Sequence, residues 1–514
     1  MRKPSRRLPR QGLNQRKVER RRAARRLRER QAAEGLEGRA RLTISNGTSP
    51  WETVEEEKEA RQSAVEEQMK IYRSVLPTLL RRFEKVRDPR NPKTIRHKLT
   101  VLMLYGILLF VFQMTSRRQA NREMTLPMFQ QNLRLMFPEL ESCPHQDTLN
   151  RLLSQIEVDG IEEALLELIE RFIRQKKFYR YLVSNCYPIA VDGTQKMVRN
   201  WCWEEECLER QVQRKEPDGT LSSRPQYYVY VLEATLAFAN GMTIPLMSEF
   251  LRYSADGDQE SNKQDCELKA FGRLAGRIKE RFPRLQILVL LDGLYPNGPV
   301  LDLCRRYRWH YMIVLQDGNL PSVWEEVEGL HKLQIRNFLD RVWGDRKQHF
   351  WWVNDIDYWY GDKNHKKQTV HVVICEEKWE EMDLESAQIV QKRSKHAWLS
   401  SERLSRENVH ERCNLGARHR WGIENNFLVE KRHGYQYEHC FSQDWKAMKG
   451  YHFLMRLAHL INILAQNTEQ LAKLVVRMGL RGLIDFLRDT CRGPWLDPER
   501  IQRVHASPCQ IRLE

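Results

Sequence analysis

Two short, unbroken apolar runs, each closed by Asp-Gly, constrain this chain most. They are YPIAVDG, ending at Asp192-Gly193, and LQILVLLDG, ending at Asp292-Gly293. Continuous apolar runs of this length, with no polar alternation, read as strands covered on both faces. Between them, QYYVYVLEATLAFANGMTIPLMSEFLRY reads as two antiparallel strands turning at Asn240-Gly241, a strong hairpin signal. Residues 258–281 carry helical periodicity with charged faces, VLDLCRRYR reads as a helix and WHYMIVLQ as a strand.

The order strand, hairpin, helix, strand, helix, strand, late helix predicts an α/β fold of the ribonuclease H-like kind. That is a mixed sheet flanked by helices, with the two Asp-bearing strands side by side and a ligand site at strand ends. Asp-Gly alone says little. Asp218, Asp256 and Asp317 also precede glycine, and turns account for those. Asp192 and Asp292 differ because each closes an apolar strand.

The remaining chain divides by composition. Residues 1–50 read as a basic disordered arm and linker, the linker being ISNGTSP from Ile44 to Pro50. The part from Gln15 to Arg30 is expected to become helical against DNA, where neutralised phosphates relieve its self-repulsion. Residues 51–180 read as a helical N-terminal domain that could bind DNA ends. It has a helix from Trp51 to Ser74 and another from Val75 to Val86. A DPRNPK loop then precedes the apolar run from Val101 to Phe112. That run falls short of the roughly 18–20 residues of a spanning helix and is expected to be a buried one. In PHQDTLNRLLSQI, Asp147 is placed to cap a helix. A helix-turn-helix reader of DNA and an ordinary helical bundle both fit here.

Residues 181–318 read as the first part of the core and 319–400 as a β-rich insertion. In the insertion HFWWVNDIDYWY and QTVHVVIC flank the turn-prone GDKNH. Residues 401–440 return to the core, and 441–514 are helical. One apolar stripe there is made by Phe453, Leu454, Leu457, Leu460, Ile461 and Leu464.

The formal charge of +17 points to a polyanionic partner. Residues 1–30 hold fourteen Lys or Arg against Glu19 and Glu29, so most of the excess is local. Eleven scattered cysteines without a C-x-x-C pair indicate a reducing compartment. Cys202 with Cys207, or Cys413, His433, His439 and Cys440, match no common zinc spacing. The N-terminus lacks the apolar core of a secretory signal.

The stretch NLGARHRWGIENNFLVEKRHG, from Asn414 to Gly434, reads as a helix. Arg420, Glu424 and Lys431 are four and seven residues apart and share one face of it. Taken alone this is an exposed face with ordinary ion pairs. Behind two Asp-bearing strands it becomes a third carboxylate between two cations, suited to holding a metal ion while gripping a phosphate backbone. Arg420-x3-Glu424-x6-Lys431 resembles the signature of bacterial insertion-sequence DDE transposases that carry a β insertion. The resemblance covers roughly Tyr187 to His439. In that signature a Tyr precedes the Arg by three positions. Ala417 stands there in this chain, so the family's Tyr contact to end DNA does not carry over.

The resemblance implies that Asp192 bridges two Mg²⁺ ions, Asp292 completes one site and Glu424 the other, with Mn²⁺ able to substitute. Two such ions, roughly 3.5–4 Å apart, activate an oxygen nucleophile and stabilise the leaving oxygen of a phosphodiester. Carboxylates are the ligands such hard cations take. Arg420 and Lys431 would hold element-end DNA. Family members free a 3′-hydroxyl at an element end with water, and that hydroxyl attacks target DNA. The implied partners are double-stranded DNA, as element ends and target, and further copies of the chain in a homodimer or higher oligomer. The implied setting is a bacterial, nucleoid-associated cytoplasmic one, with no membrane.

Trp343, Trp351, Trp352, Trp359 and Trp379 lie in the insertion. Similar enzymes stack a flipped base on such a Trp, while most of these are expected to fill the core of a small sheet. Glu249 reads as a polar strand residue and Glu430 as lying off the Glu424 stripe. His433 and His439 read as structural or DNA-facing. A non-transposing ribonuclease H-like nuclease and a catalytically silent DNA-binding protein derived from a transposase are the competing readings.

Overall fold

The computed structural model describes residues 10–37, 48–215, 221–252 and 266–513. The Pro217-Asp218-Gly219 turn, residues 44–47 of the linker and residues 258–265 of the helical stretch lie outside them. The fold is mixed α/β. In chain order it runs α1 (Arg10–Ala33), α2 (Val54–Phe83), α3 (Leu99–Val111), α4 (Arg117–Met124), α5 (Pro127–Met136), α6 (Gln146–Leu153) and α7 (Asp159–Arg174). Then come β1 (Tyr187–Arg199), β2 (Leu208–Lys215), β3 (Leu221–Ala237), β4 (Thr243–Leu251), α8 (Glu267–Arg281), β5 (Ile287–Leu291), α9 (Gly298–Tyr307), β6 (His310–Val314) and α10 (Pro321–His331). β7 (Phe338–Trp343), β8 (Arg346–Tyr360), β9 (Lys366–Met382) and β10 (Ile389–Ser400) follow. The chain closes with α11 (Trp421–Arg432), α12 (Trp445–Gln466), α13 (Glu469–Arg492) and α14 (Pro498–Ala506). These elements form two compact units, Met1–Leu42 with Leu288–Ala417 and Thr43–Ile287 with Arg418–Glu514.

The second of these units is built around α12. Every residue from Ala447 to Ala465 except Lys449 is buried, so the helix is covered all round and not along one stripe alone. It packs against α2, α3, α6, α7, α13 and β4. The apolar run forms α3 and is buried from Leu102 to Val111, as expected. Among the described residues no helix is long and apolar enough to cross a membrane.

Where two helices are expected between Trp51 and Val86, there is one, α2. Pro77 removes an N–H, but Met69, Tyr72, Val75, Leu76, Leu79 and Phe83 keep one buried face continuous through it. Burial of that face against α7 and α13 outweighs the missing bond. The helix starts at Thr53, whose Oγ1 accepts from Glu56 N at 3.1 Å, with Glu55, Glu56 and Glu57 in the positive first turn. The α6 cap also differs from expectation. The His145 ring accepts from the Asp147 N–H at 3.3 Å, leaving Asp147 inside the first turn.

In this unit β3 pairs antiparallel with β1, β2 and β4. The β3–β4 connection turns at Asn240-Gly241 as predicted. Gly241 has φ 88°, and Asn240 Oδ1 accepts from Met242 N at 3.1 Å.

In the other unit β5 and β6 are parallel, β6 pairs antiparallel with β10, and β10, β9, β8 and β7 follow as an antiparallel series. The β-rich insertion is therefore not a separate sheet. Its last strand pairs with β6 through Trp398↔Val314 and Leu399↔Ile313. GDKNH is the β8–β9 connection, opened by Gly361 at φ 79°. Trp352 is 2% exposed and serves as core, whereas Trp359 is 48% exposed.

The Arg-rich arm, expected to be disordered on its own, forms the helix α1. Ala23, Leu27 and Gln31, four residues apart, are its covered face, and α1 lies against β9. Arg30 pairs with Glu380 at 3.4 Å, Lys347 with Glu34 at 2.9 Å, and Glu37 N–H donates to Gly344 O at 3.0 Å.

Candidate active site

Asp192 lies inside β1, not at its end. Pairing with β3 runs from Ile189↔Leu236 to Arg199↔Tyr227, because β3 continues well past the Asp-Gly pair. Gly193 is not a turn residue. A Cβ there would come within 2.4 Å of the Tyr230 ring, so the glycine permits close packing beside the carboxylate. Its N–H donates to Asp192 Oδ1 at 2.9 Å.

The expected helix from Asn414 is present but not uniform. A π-helical segment over Glu411–Gly416 and a 3₁₀ turn over Ala417–Arg420 lead into α11. A wide turn followed by a tight one changes the screw of the chain, so the regular stripe holds only from Trp421 onward. At Gly422 a Cβ would lie 2.9 Å from Thr243 Cγ2. The missing side chain lets the first turn of α11 sit directly on the β3–β4 hairpin.

That seating brings Arg420 to Asp192. The guanidinium Nη1 is 3.7 Å from Asp192 Oδ2, and Nη2 donates to Glu424 Oε1 at 2.7 Å. Arg420 is nearly buried, while Glu424 is about one-third exposed. Trp421, 59% exposed, lies beside them, with the Arg420 guanidinium 5.1 Å from its ring centroid. Three of the predicted site residues therefore meet. Lys431 sits about 10 Å further along the helix axis, its Nζ 3.1 Å from Glu438 Oε1. Asp292 belongs to the other unit, directly after β5. Its Oδ1 accepts from Leu294 N at 2.8 Å and its carbonyl from Tyr295 N at 3.3 Å.

Beneath this surface lies a buried ionic cluster. Across the strands, Asp192 faces Glu233 and Glu233 faces Ser248. Glu233 has no exposure. It accepts from Ser248 Oγ at 2.6 Å and Tyr437 OH at 3.2 Å, and lies 3.2 Å from Arg456 Nη2. Arg456 Nη1 also donates to Glu430 Oε1 at 3.0 Å, which bonds His459 Nδ1 at 2.6 Å. Burial raises the Glu233 carboxyl, but the Arg456 guanidinium, together with His452 and the Ser248 hydroxyl, outweighs this and holds it at about 2. Burial likewise pushes His452 down to about 4 despite Glu233 at its side. At neutral pH His452 is neutral, and the cations answering both carboxylates are Arg456 and the buried Lys196, which burial pushes down to about 8.

Glu430 is thus turned inward, off the face that carries Glu424, as its position on the helix suggests. Glu249 pairs with Arg273 at 2.6 Å and Arg277 at 3.0 Å. His439 packs edge-on against Phe441 at 4.8 Å. Glu233 and Arg456 were not among the residues expected at the site. Their signal in the sequence is a lone charge within each of two apolar runs, VYVLEATLAF and FLMRLAHLINIL. Such a charge is paired when buried.

Among the described residues no group of three or more His, Cys, Asp or Glu side chains is placed to hold a metal ion. All eleven cysteines are free thiols. Asp192 and Glu424 nevertheless provide hard oxygen donors of the type Mg²⁺ takes, with Arg420 balancing their charge.

Residues 80–169, from the end of α2 into α7, match the family model described as DDE_Tnp_1-associated. That match indicates a DDE-type transposase family. No curated protein matches the chain.

Proposed function

We propose that the chain is a DDE transposase with a ribonuclease H-like core, which binds its element ends as duplex DNA and cuts and joins strands with two Mg²⁺ ions. The observation that carries this reading is the convergence of Asp192 and Glu424, from β1 and α11, on the single guanidinium of Arg420. The transposase-associated match over residues 80–169 supports it from a separate part of the chain. In this reading Asp192, Asp292 and Glu424 hold the metal ions, and Mn²⁺ substitutes for Mg²⁺. The ions supply charge stabilisation and an activated oxygen nucleophile. Arg420 offsets the repulsion between Asp192 and Glu424 and donates to a DNA phosphate when the substrate arrives. Lys431 holds DNA further along α11. The working form is a dimer or higher oligomer on DNA, in the bacterial cytoplasm.

The test is cleavage of labelled duplexes carrying the element's inverted repeats, with Mg²⁺ or EDTA, by the wild type and Glu424→Gln. Metal-dependent nicking at the repeat boundary, absent in the variant, is the expected result. Salt-sensitive binding without cleavage by either protein would overturn the reading in favour of a silent DNA-binding protein. Cleavage that never yields target-joined products would instead identify a non-transposing nuclease.

A further inference from the structure

The helical segment that carries the family match contains an open groove of about 890 Å³. It is bordered by the loop after α2 and by α4, α5 and α6. None of its seventeen lining residues is Asp or Glu, and three are arginines. Thr148, Arg151 or Leu152, and Gln155 line it from α6 at intervals of three or four, so one helical face forms a wall.

Several arginines elsewhere in the unit are tied to carboxylates. Arg61, Arg277, Arg456 and Arg500 are all engaged by carboxylates. Arg96 and Arg151 are exposed, and among the described residues neither guanidinium has a hydrogen bond or an ion pair. The third, Arg90, is committed to Asp88 at 2.6 Å and to His97 O at 3.0 Å, which shapes the loop. Of the carboxylates near the rim, Asp88 is taken by Arg90, and Asp147 lies 3.6 Å from both Arg117 and His145. Lys93, Lys98 and Arg122 follow or precede lining residues in the chain and are exposed as well. The remaining lining is mainly amide and hydroxyl groups, Asn91, Asn121 and Gln130 among them, which donate and accept without charge.

A groove lined by unpaired guanidiniums and neutral polar groups, with no carboxylate in its lining, suits a polyanion. Its volume is far larger than a single phosphate requires. We infer that this groove seats the sugar-phosphate backbone of duplex DNA, with Arg96 and Arg151 each on a phosphate and the amides against the sugars and groove edges. The inference rests on the transposase reading for its choice of DNA but is tested by binding alone.

The full-length protein is titrated into a fluorescein-labelled DNA duplex across a salt series. Wild type, Arg96→Ala/Arg151→Ala and Arg96→Lys/Arg151→Lys are compared, and Arg284→Ala, an exposed arginine outside the groove, is run as the charge control. The alanine pair should bind about tenfold more weakly, with a salt slope shallower by about two. The lysine pair should keep the slope, and Arg284→Ala should bind like wild type. Unchanged affinity and slope in the alanine pair would overturn the inference. Equal affinity for a double-stranded RNA of the same sequence would overturn the assignment to DNA. Wild type that binds without cleaving would defeat the transposase reading and leave the groove standing. Cleavage with an unaffected alanine pair would do the reverse.

Discussion

Asp192 and Glu233 are direct partners across β1 and β3, yet each answers to a different arginine. Asp192 reaches Arg420 at the surface, and Glu233 reaches Arg456 in the core. Glu424 and Glu430, at the two ends of α11, divide between the same two arginines. The helix is thereby held to the strands at an accessible ion cluster and at a dry one. Only the accessible cluster can exchange its arginine for other charges.

Removing the dry cation should be severe. Arg456→Met leaves Glu233 and Glu430 buried without their shared partner and is expected to destabilise the protein by about 3–5 kcal/mol in urea unfolding. Adding Glu233→Gln and Glu430→Gln should recover most of that loss. A single Arg456→Met variant as stable as wild type would show that the pairing contributes nothing.

The pH dependence of stability has two opposed parts. His452 is held at about 4, below its ordinary 6.5, so the unfolded chain takes up that proton first. Its contribution is lost as pH falls from about 6.5 to 4. Burial pushes Glu162 up to about 7 despite Arg277, so its contribution is present below the ordinary carboxylate value and lost as pH rises through about 7. Each spans on the order of 3 kcal/mol. Between about pH 4.5 and 6.5, stability should rise more steeply with pH in Glu162→Gln than in wild type, and less steeply in His452→Asn. Parallel unfolding curves for all three would contradict these assignments.

Gly193→Ala should lower both stability and cleavage, because the added methyl meets the Tyr230 ring. Overpacking of this kind costs roughly 1–3 kcal/mol. Tyr230→Ala in the same chain should relieve it, so the two changes should be strongly non-additive in a double-mutant cycle. Simple additivity would place the strain elsewhere.

Trp421 offers a large exposed ring beside Arg420 and Glu424. Trp421→Ala should leave the melting temperature unchanged and weaken binding to DNA with an unpaired end by about 1–3 kcal/mol, the range of a base stacked on an aromatic ring. The exposed Trp359 provides a comparison within the strand series. A loss confined to Trp359→Ala would move the base contact there.

Much of the architecture was legible from local pattern. β5 and β6 are short and continuously apolar, the Asn240-Gly241 turn has its own chemistry, and α3 is too apolar to lie anywhere but inside. Features decided by distant partners were not legible. The stretch from Trp51 to Val86 reads as two helices meeting at Ser74 and Val75 until α7 and α13 cover one continuous face. Asp192 reads as a strand end because the length of β3 is invisible from β1. At the candidate site, the spacing of Arg420 and Glu424 was readable from the helical period. Their meeting with Asp192 depends on Gly422 admitting α11 to the hairpin, and the role of Arg456 depends on two carboxylates remote in sequence.

The unit centred on α12 is interrupted in the chain by the whole of Leu288–Ala417. During synthesis, α2, α3, α6 and α7 leave the ribosome long before the helix that covers them. Until Trp445–Gln466 emerges, the parts of their apolar faces that α12 covers stay open, and Glu233 lacks the Arg456 guanidinium. The nascent protein should therefore depend on chaperones late in translation. Chains that stop before α12 should be aggregation-prone and rapidly degraded, even though every strand of the second unit has already been made.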